Sequence, residues 1–281
     1  MTQTHAQTRY LTAKQSVDER ARDRRVRDRL RAALPSHPRV VEAGCGTGPT
    51  VPMLYADWEV TPAAYLGVDA AERVVAFANA VVPRVLRRRM PAETRIAATP
   101  DGCRVGDAPI RFDTGDALAR LTDATADLLV AQSFLDLVPP ADALDAFADA
   151  LAPGGLAYAP LTFDGVTVLQ PSHPADDRVR AAYHDAIDAA DGRTSRAGRR
   201  LLDVLRERPA ETLLAVGASD WIVRPVDGEY RADEQYFLAC ILSFIADAVP
   251  DATDWLATRR QQLAAGDLTY VAHGYDLLWR A

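Results

Sequence analysis

Only one lysine, Lys14, stands among the 32 basic residues of this chain; the rest are arginine. The one Tyr-x-x-x-Lys pair it can therefore spell, Tyr10 to Lys14, lies far upstream of where a nicotinamide-dependent oxidoreductase of the common short-chain type carries that pair. Cysteine is scarce too. Cys45, Cys103 and Cys240 are odd in number and share no C-x-x-C spacing, which argues against a disulfide framework or a cysteine zinc site. His5, His37, His173, His184 and His273 include no pair four residues apart, so no metal is expected. No apolar run approaches the length of a membrane span, and Met1 to His5 form no signal-peptide core; the expected compartment is the cytoplasm. The formal net charge of -7 runs against a nucleic-acid surface. What is present, 48% hydrophobic and 25% charged residues over 281 positions, suits a globular chain that buries a substantial core.

The stretch that organises the chain is Val40-Val41-Glu42-Ala43-Gly44-Cys45-Gly46-Thr47-Gly48-Pro49. A β-branched run ends in an acid, three glycines follow at alternate positions, and a proline suits the first turn of a helix. Strand, glycine turn and helix start form the geometry that receives a nucleotide-like cofactor at the carboxyl end of a parallel sheet. The dinucleotide fingerprint G-x-G-x-x-G would need a glycine at position 49, where Pro49 stands.

Upstream, Ser16 to Glu19 reads as a capping box opening a helix whose Val26, Leu30 and Leu34 recur at four-residue steps before Pro35. Seven arginines between Arg20 and Arg31 are interleaved with Asp23 and Asp28, the pattern of a solvated, ion-paired helix face. Downstream, Ala64–Val68 reads as a buried strand closed by Asp69, about twenty residues past the last glycine. An acid there suits ribose hydroxyls, and also a helix N-cap. Glu72 to Arg89 is an amphipathic helix, and residues 94–105 a hairpin around Pro100-Asp101-Gly102. Strands follow at Ile110–Asp113, before Gly115-Asp116-Ala117, and at Ala126–Ser133. A helix over 139–151, the turn Leu151-Ala152-Pro153-Gly154-Gly155 and a strand over 156–163 come next. Helical stretches over 164–218, a sixth strand over 220–225, two more helices and a last strand near 268–280, bent at Gly274, complete the reading.

In this order, the E-x-G-x-G-x-G loop, the acid closing strand two, Asp-Ala after strand three and L-x-P-G-G before strand five resemble the class I S-adenosylmethionine-dependent methyltransferases. The resemblance covers residues 38–164, with the two late strands added. It implies an α/β fold, a Rossmann-like seven-stranded mostly parallel sheet with helices on both faces and an added helical cap. The whole chain, 1–281, would be one domain: core about 16–164 plus strands near 219–226 and 268–280, with cap elements at about 165–218 and 227–266.

Carried over by position, the resemblance places Gly44, Gly46 and Gly48 at the methionine portion of S-adenosylmethionine. Asp69 would take the ribose, Asp116 and Ala117 the adenine, and Gln132 and Ser133 the sulfonium border, with Glu42 ordering the backbone beneath the loop. In many such enzymes a leading segment, here the one with Arg9, Tyr10 and Lys14, folds over the cofactor, and a basic residue there meets its carboxylate; a frayed terminus is the other reading. The candidates for a general base are His173 and Asp136, with His184 and His273 behind them. Val138-Pro139-Pro140-Ala141 lacks the [DN]-P-P-[YF] of enzymes that methylate amino groups of DNA, and no Pro-Cys pair exists for attack on cytosine. The expected acceptor is a small molecule. A methyltransferase acting on protein or RNA, and a catalytically silent cofactor-binding scaffold, remain as alternatives; the sequence is mute on oligomeric state.

Overall fold

The computed structural model describes residues 7–121 and 125–281. Ten strands form one sheet: β1 (Arg39–Ala43), β2 (Ala64–Asp69), β3 (Ile96–Thr99), β4 (Gly102–Val105), β5 (Ala108–Thr114), β6 (Ala126–Val130), β7 (Leu151–Gln170), β8 (Thr212–Ala218), β9 (Trp221–Val223) and β10 (Thr269–Arg280). The order across it is β3-β4-β5-β2-β1-β6-β7-β10-β8, with β9 paired to β10 off this path. Strands β5, β2, β1, β6 and β7 run parallel, and β10 lies antiparallel to both β7 and β8. Seven strands thus make the expected mostly parallel sheet, and the β3–β4 hairpin extends its far edge. The central β1 is buried at four of its five residues, as its continuous β-branched run requires.

The helices are α1 (Thr8–Ala13), α2 (Gln15–Ala21), α3 (Arg24–Ala33), α4 (Thr50–Pro52, continued by a π-helical turn over Met53–Asp57), α5 (Glu72–Arg89), α6 (Ala117–Leu121), α7 (Pro140–Ala150), α8 (Asp176–Asp188), α9 (Ala197–Arg206), α10 (Glu234–Ala248) and α11 (Thr253–Ala264). Two apolar clusters flank the sheet. One carries Leu54, Val82, Leu86 and Phe112; the other Leu129, Leu144, Phe147 and Trp279.

Three features depart from the sequence reading. The long first helix is broken at Arg22–Asp23, and the cap there is Asp23, whose carboxylate accepts from the amides of Arg25 and Val26. Ser16 instead donates its hydroxyl to Glu234. The sixth sheet strand is Thr212–Ala218, read as helical from its leucines and alanines, while Trp221–Val223 is a short strand on the outer half of β10. The fifth strand runs on to Gln170, and its second half pairs with the first half of β10. The sheet therefore reaches past the ends of β1, β2 and β6 as an arm. Against that arm, α1, α2, α8, α10 and α11 bury a third cluster, which includes Val17, Leu169, Val179, Phe237 and Leu268.

Candidate functional site

The carboxyl ends of β1, β2, β5 and β6 meet the arm around one cavity of about 640 Å³, within the range of about 300–1,000 Å³ usual for small-molecule sites. Gly44, Gly46 and Gly48 sit at φ +70°, +54° and +75°, left-handed values that a side chain disfavours. The loop is pinned by two amides, Gly44 and Cys45, that donate to the carbonyl of Val68. Asp69 adds a third tie: its Oδ2 accepts the Gly46 amide at 3.0 Å and its Oδ1 the Ala71 amide at 2.9 Å. Each oxygen keeps a second lone pair directed elsewhere.

Of the sequence-predicted residues, Glu42, Gly44, Gly46, Asp69, Asp116 and Ala117 line this cavity, and so do Gln132, Ser133 and Asp136. Asp116 Oδ1 also caps α6 through the amides of Leu118 and Ala119. Glu42 is buried, accepting from Thr50 Oγ1 at 2.7 Å and from the Tyr65 hydroxyl. It orders the loop through two side chains, not through the backbone. Burial pushes its carboxyl up to about 7, against the pull of those two bonds and the Arg22 charge.

Two predicted residues fall outside the cavity. Gly48 is not among its lining residues. A Cβ built there would lie 2.7 Å from Val82 Cγ2 and 2.8 Å from Phe112 Cε1, so its role is close packing beneath the loop. His173 lines a separate pocket of about 270 Å³, where its Nδ1 accepts the Ala175 amide and its own amide donates to Asp176. Of the other histidines, His184 pairs with Thr167 through Nε2. His273 borders the cavity, but its Nδ1 is 2.6 Å from Asp220 Oδ1.

By resemblance the leading segment, with Arg9 and Lys14, lies near the cofactor; in the structure Lys14 is buried in the cavity wall. Its ammonium lies 3.2 Å from Asp18 Oδ2, donates to Ser133 Oγ at 3.1 Å and sits 5.0 Å above the Trp221 ring. Arg22 and Asp18 both bond Gln132, so the N-terminal helices are latched to the end of β6. The backbone there is strained: Ser133 and Leu161, both lining the cavity, have φ of +47° and +58°.

Beyond Ser133 the lining changes character. Phe163, Tyr183, Ile187, Trp221, Ile241 and Tyr270 form an apolar, largely aromatic chamber, and Asp136 faces it. These positions come from elements far apart in sequence and share no motif. Burial raises the Asp136 carboxyl, opposed by the charges of Lys14 and Arg193, and its Oδ1 is buried with no hydrogen-bond partner among the described residues. Asp18 Oδ1, Ser219 Oγ and Trp221 Nε1, also of cavity residues, are orphaned in the same way. Buried polar atoms are nearly always paired, so four exceptions around one cavity mark a place where a bound molecule completes the bonding. The donor set fits S-adenosylmethionine: an acid for vicinal hydroxyls, an acid beside a small residue for an amine-bearing ring, and a cation for an amino-acid carboxylate.

The family profile described as "Methyltransferase domain" matches residues 17–189. That is well over half of the chain, which therefore belongs to this family. The sheet order, with one antiparallel strand between the fifth and sixth core strands, makes it a class I S-adenosylmethionine-dependent methyltransferase. No curated protein sequence matches it. Among solved structures it is similar to a SAM-dependent methyltransferase from Thiobacillus denitrificans in complex with S-adenosyl-L-homocysteine, at 18% identity over 92% of each chain and a TM-score of 0.48. It is similar to one from Geobacter sulfurreducens, in the same complex, at 15% identity over 96% of this chain and 97% of that one (TM-score 0.47). A geranyl diphosphate C-methyltransferase from Streptomyces coelicolor A3(2) shows 12% identity over 90% and 78% (TM-score 0.46). The family assignment rests on the profile and the sheet order, not on these likenesses.

Proposed function

We propose that this methyltransferase acts on a small-molecule acceptor, held in the aromatic chamber, with Asp136 as the group that takes the acceptor's proton. The observation that carries the reading is the two-ended composition of one cavity's lining. Glycine loop, Asp69, Asp116 and Lys14 stand at one end, and at the other an apolar chamber with the Asp136 carboxylate, whose Oδ1 is unpartnered.

When bound, S-adenosylmethionine supplies a methyl group already activated by its sulfonium, ready for in-line displacement. The protein's task is then to position and to keep water out. Asp69 accepts from the ribose hydroxyls, Asp116 from the exocyclic amine beside Ala117, and Lys14 offers its charge to the methionine carboxylate. Gln132 and Ser133 border the reacting end. The α1–α2 segment covers the loop: Gln15 donates to Thr47 Oγ1 at 3.3 Å, and Leu11 lies over Gly46. Asp136 Oδ1 would take the proton of an acceptor O–H or S–H held in the chamber. A carboxyl raised by burial is a better proton acceptor near neutral pH than an exposed one.

Mass spectrometry of small molecules released from the natively purified protein tests this reading, followed by turnover of those molecules by wild type and Asp136→Asn. Wild type should methylate one of them. The variant should bind S-adenosylhomocysteine as wild type does and lose roughly 10²–10⁴-fold in kcat, the usual worth of a general base. Equal turnover by the two proteins would remove Asp136 from the chemistry.

A further inference from the structure

Two permanent cations line the cavity, and they differ in one respect. Lys14 is buried, contacts Asp18 and Ser133, and is assigned above to the cofactor. Arg193 is exposed at the mouth of the chamber and, among the described residues, makes no ion pair and no side-chain hydrogen bond. Its backbone is nonetheless held firmly. The Arg193 amide donates to the Ala190 carbonyl at 3.1 Å, and the Thr194 amide to the Asp136 carbonyl at 3.4 Å. Asp188 clamps the loop by accepting both the amide and the hydroxyl of Ser195, at 2.5 and 3.0 Å. Gly192, at φ +72°, lies close enough to Pro139 that a Cβ would come within 3.2 Å of its Cδ. A rigid loop thus presents a guanidinium with nothing to bind.

The Arg193 charge acts on both Asp136 and Tyr183, yet Arg193 is not within ion-pair distance of Asp136. The Tyr183 hydroxyl also makes no hydrogen bond among the described residues, and burial with the nearby Asp136 charge pushes it up to about 12, so it stays a neutral donor. Asp191, two residues before Arg193, is exposed and forms no ion pair among the described residues either. A planar guanidinium at the rim of an aromatic chamber is suited to a carboxylate, sulfonate or phosphate oxygen pair.

Building on the two-ended reading above, we propose that Arg193 is the anion-binding residue of the acceptor site, and that the acceptor is an apolar, aromatic-sized acid. Its negative group rests on the Arg193 guanidinium with the Tyr183 hydroxyl alongside, and its apolar body lies between Phe163, Trp221 and Tyr270. That places the methyl-accepting atom inward, beside Asp136. The reverse orientation is disfavoured because the inner cation, Lys14, is the one assigned above to the cofactor's carboxylate.

A matched pair of fluorescent probes tests this: 8-anilinonaphthalene-1-sulfonate and its uncharged counterpart N-phenyl-1-naphthylamine, titrated into full-length protein saturated with S-adenosylhomocysteine. Wild type should bind the sulfonate roughly tenfold more tightly than the neutral probe, the scale of one charge-assisted hydrogen bond. In Arg193→Ala that preference should vanish, with neutral-probe and S-adenosylhomocysteine affinities unchanged. Arg193→Lys should restore part of it. Ile187→Trp, which fills the chamber, should weaken both probes. Equal affinities in wild type, a preference that survives Arg193→Ala, or probe binding indifferent to Ile187→Trp would each overturn the proposal. A wild type that failed to bind S-adenosylhomocysteine would instead bring down the cofactor reading beneath it.

Discussion

Asp69 Oδ2 accepts the backbone N–H of Gly46 at 3.0 Å, so the acid expected to recognise a ribose is also a fastener of the glycine loop. The two roles use different lone pairs of the same carboxylate, and substitutions separate them. Asp69→Ala removes both and should weaken S-adenosylhomocysteine binding by about 1–3 kcal/mol, the cost of losing a charged hydrogen-bonding group. Asp69→Asn keeps one acceptor oxygen, and should hold the loop while recovering only part of the affinity. Isothermal titration of the three proteins checks this; an affinity unchanged in Asp69→Ala would take Asp69 out of the site.

The positions legible in the sequence are those fixed by neighbours along the chain. The glycine rhythm sets a left-handed turn wherever it occurs, and strand-end acids such as Asp69 and Asp116 follow their strands to the same sheet edge. Contacts between distant segments decided the rest. The first helix breaks at Asp23 because the Asp276 carboxylate takes the Asp23 amide at 2.9 Å, across 253 residues of sequence, while also accepting from the Leu161 amide and the Tyr158 hydroxyl. Nothing local to Arg22 announces that. Strand β8 was hidden for a different reason: it lies at a sheet edge with Leu213 and Val216 exposed, so it lacks the alternation of a half-buried strand. The Asp191–Ser195 interruption read from the sequence as a polar break, and it is the clamp at Asp188 that turns it into a fixed loop at the chamber mouth.

Glu42 and Asp276 make the fold pH-dependent in one direction. Burial raises Glu42 from 4.5 to about 7 and Asp276 from 3.8 to about 6. Between each ordinary value and the raised one, the folded chain holds more protons than the unfolded chain. The contribution of each group is therefore full below its ordinary value and is lost as pH rises through the raised one. Glu42→Gln removes the Glu42 part, and a carboxamide can still serve the Thr50 and Tyr65 hydroxyls, which donate or accept. Denaturant melts from pH 5 to 8 should show wild type losing stability across that window and Glu42→Gln losing less. Parallel curves for the two proteins would mean that Glu42 stays charged in the fold.

Gly48 and Gly154 separate two costs that a glycine can avoid. Both have positive φ, +75° and +77°. A Cβ at Gly154 would meet no atom within 4 Å, whereas one at Gly48 would strike Val82 and Phe112 at under 3 Å. Gly154→Ala therefore pays only the left-handed backbone strain, about 1–2 kcal/mol. Gly48→Ala adds overpacking of a filled core beneath the loop, a further 1–3 kcal/mol or so. Urea unfolding should rank the variants in that order. Because Val82 belongs to α5 and Phe112 to β5, the displaced ring should also disturb the loop above it, so Gly48→Ala should lose S-adenosylhomocysteine affinity and Gly154→Ala should not. Equal destabilisation by the two substitutions would show that the layer under Gly48 yields, and that backbone conformation alone selects glycine at that position.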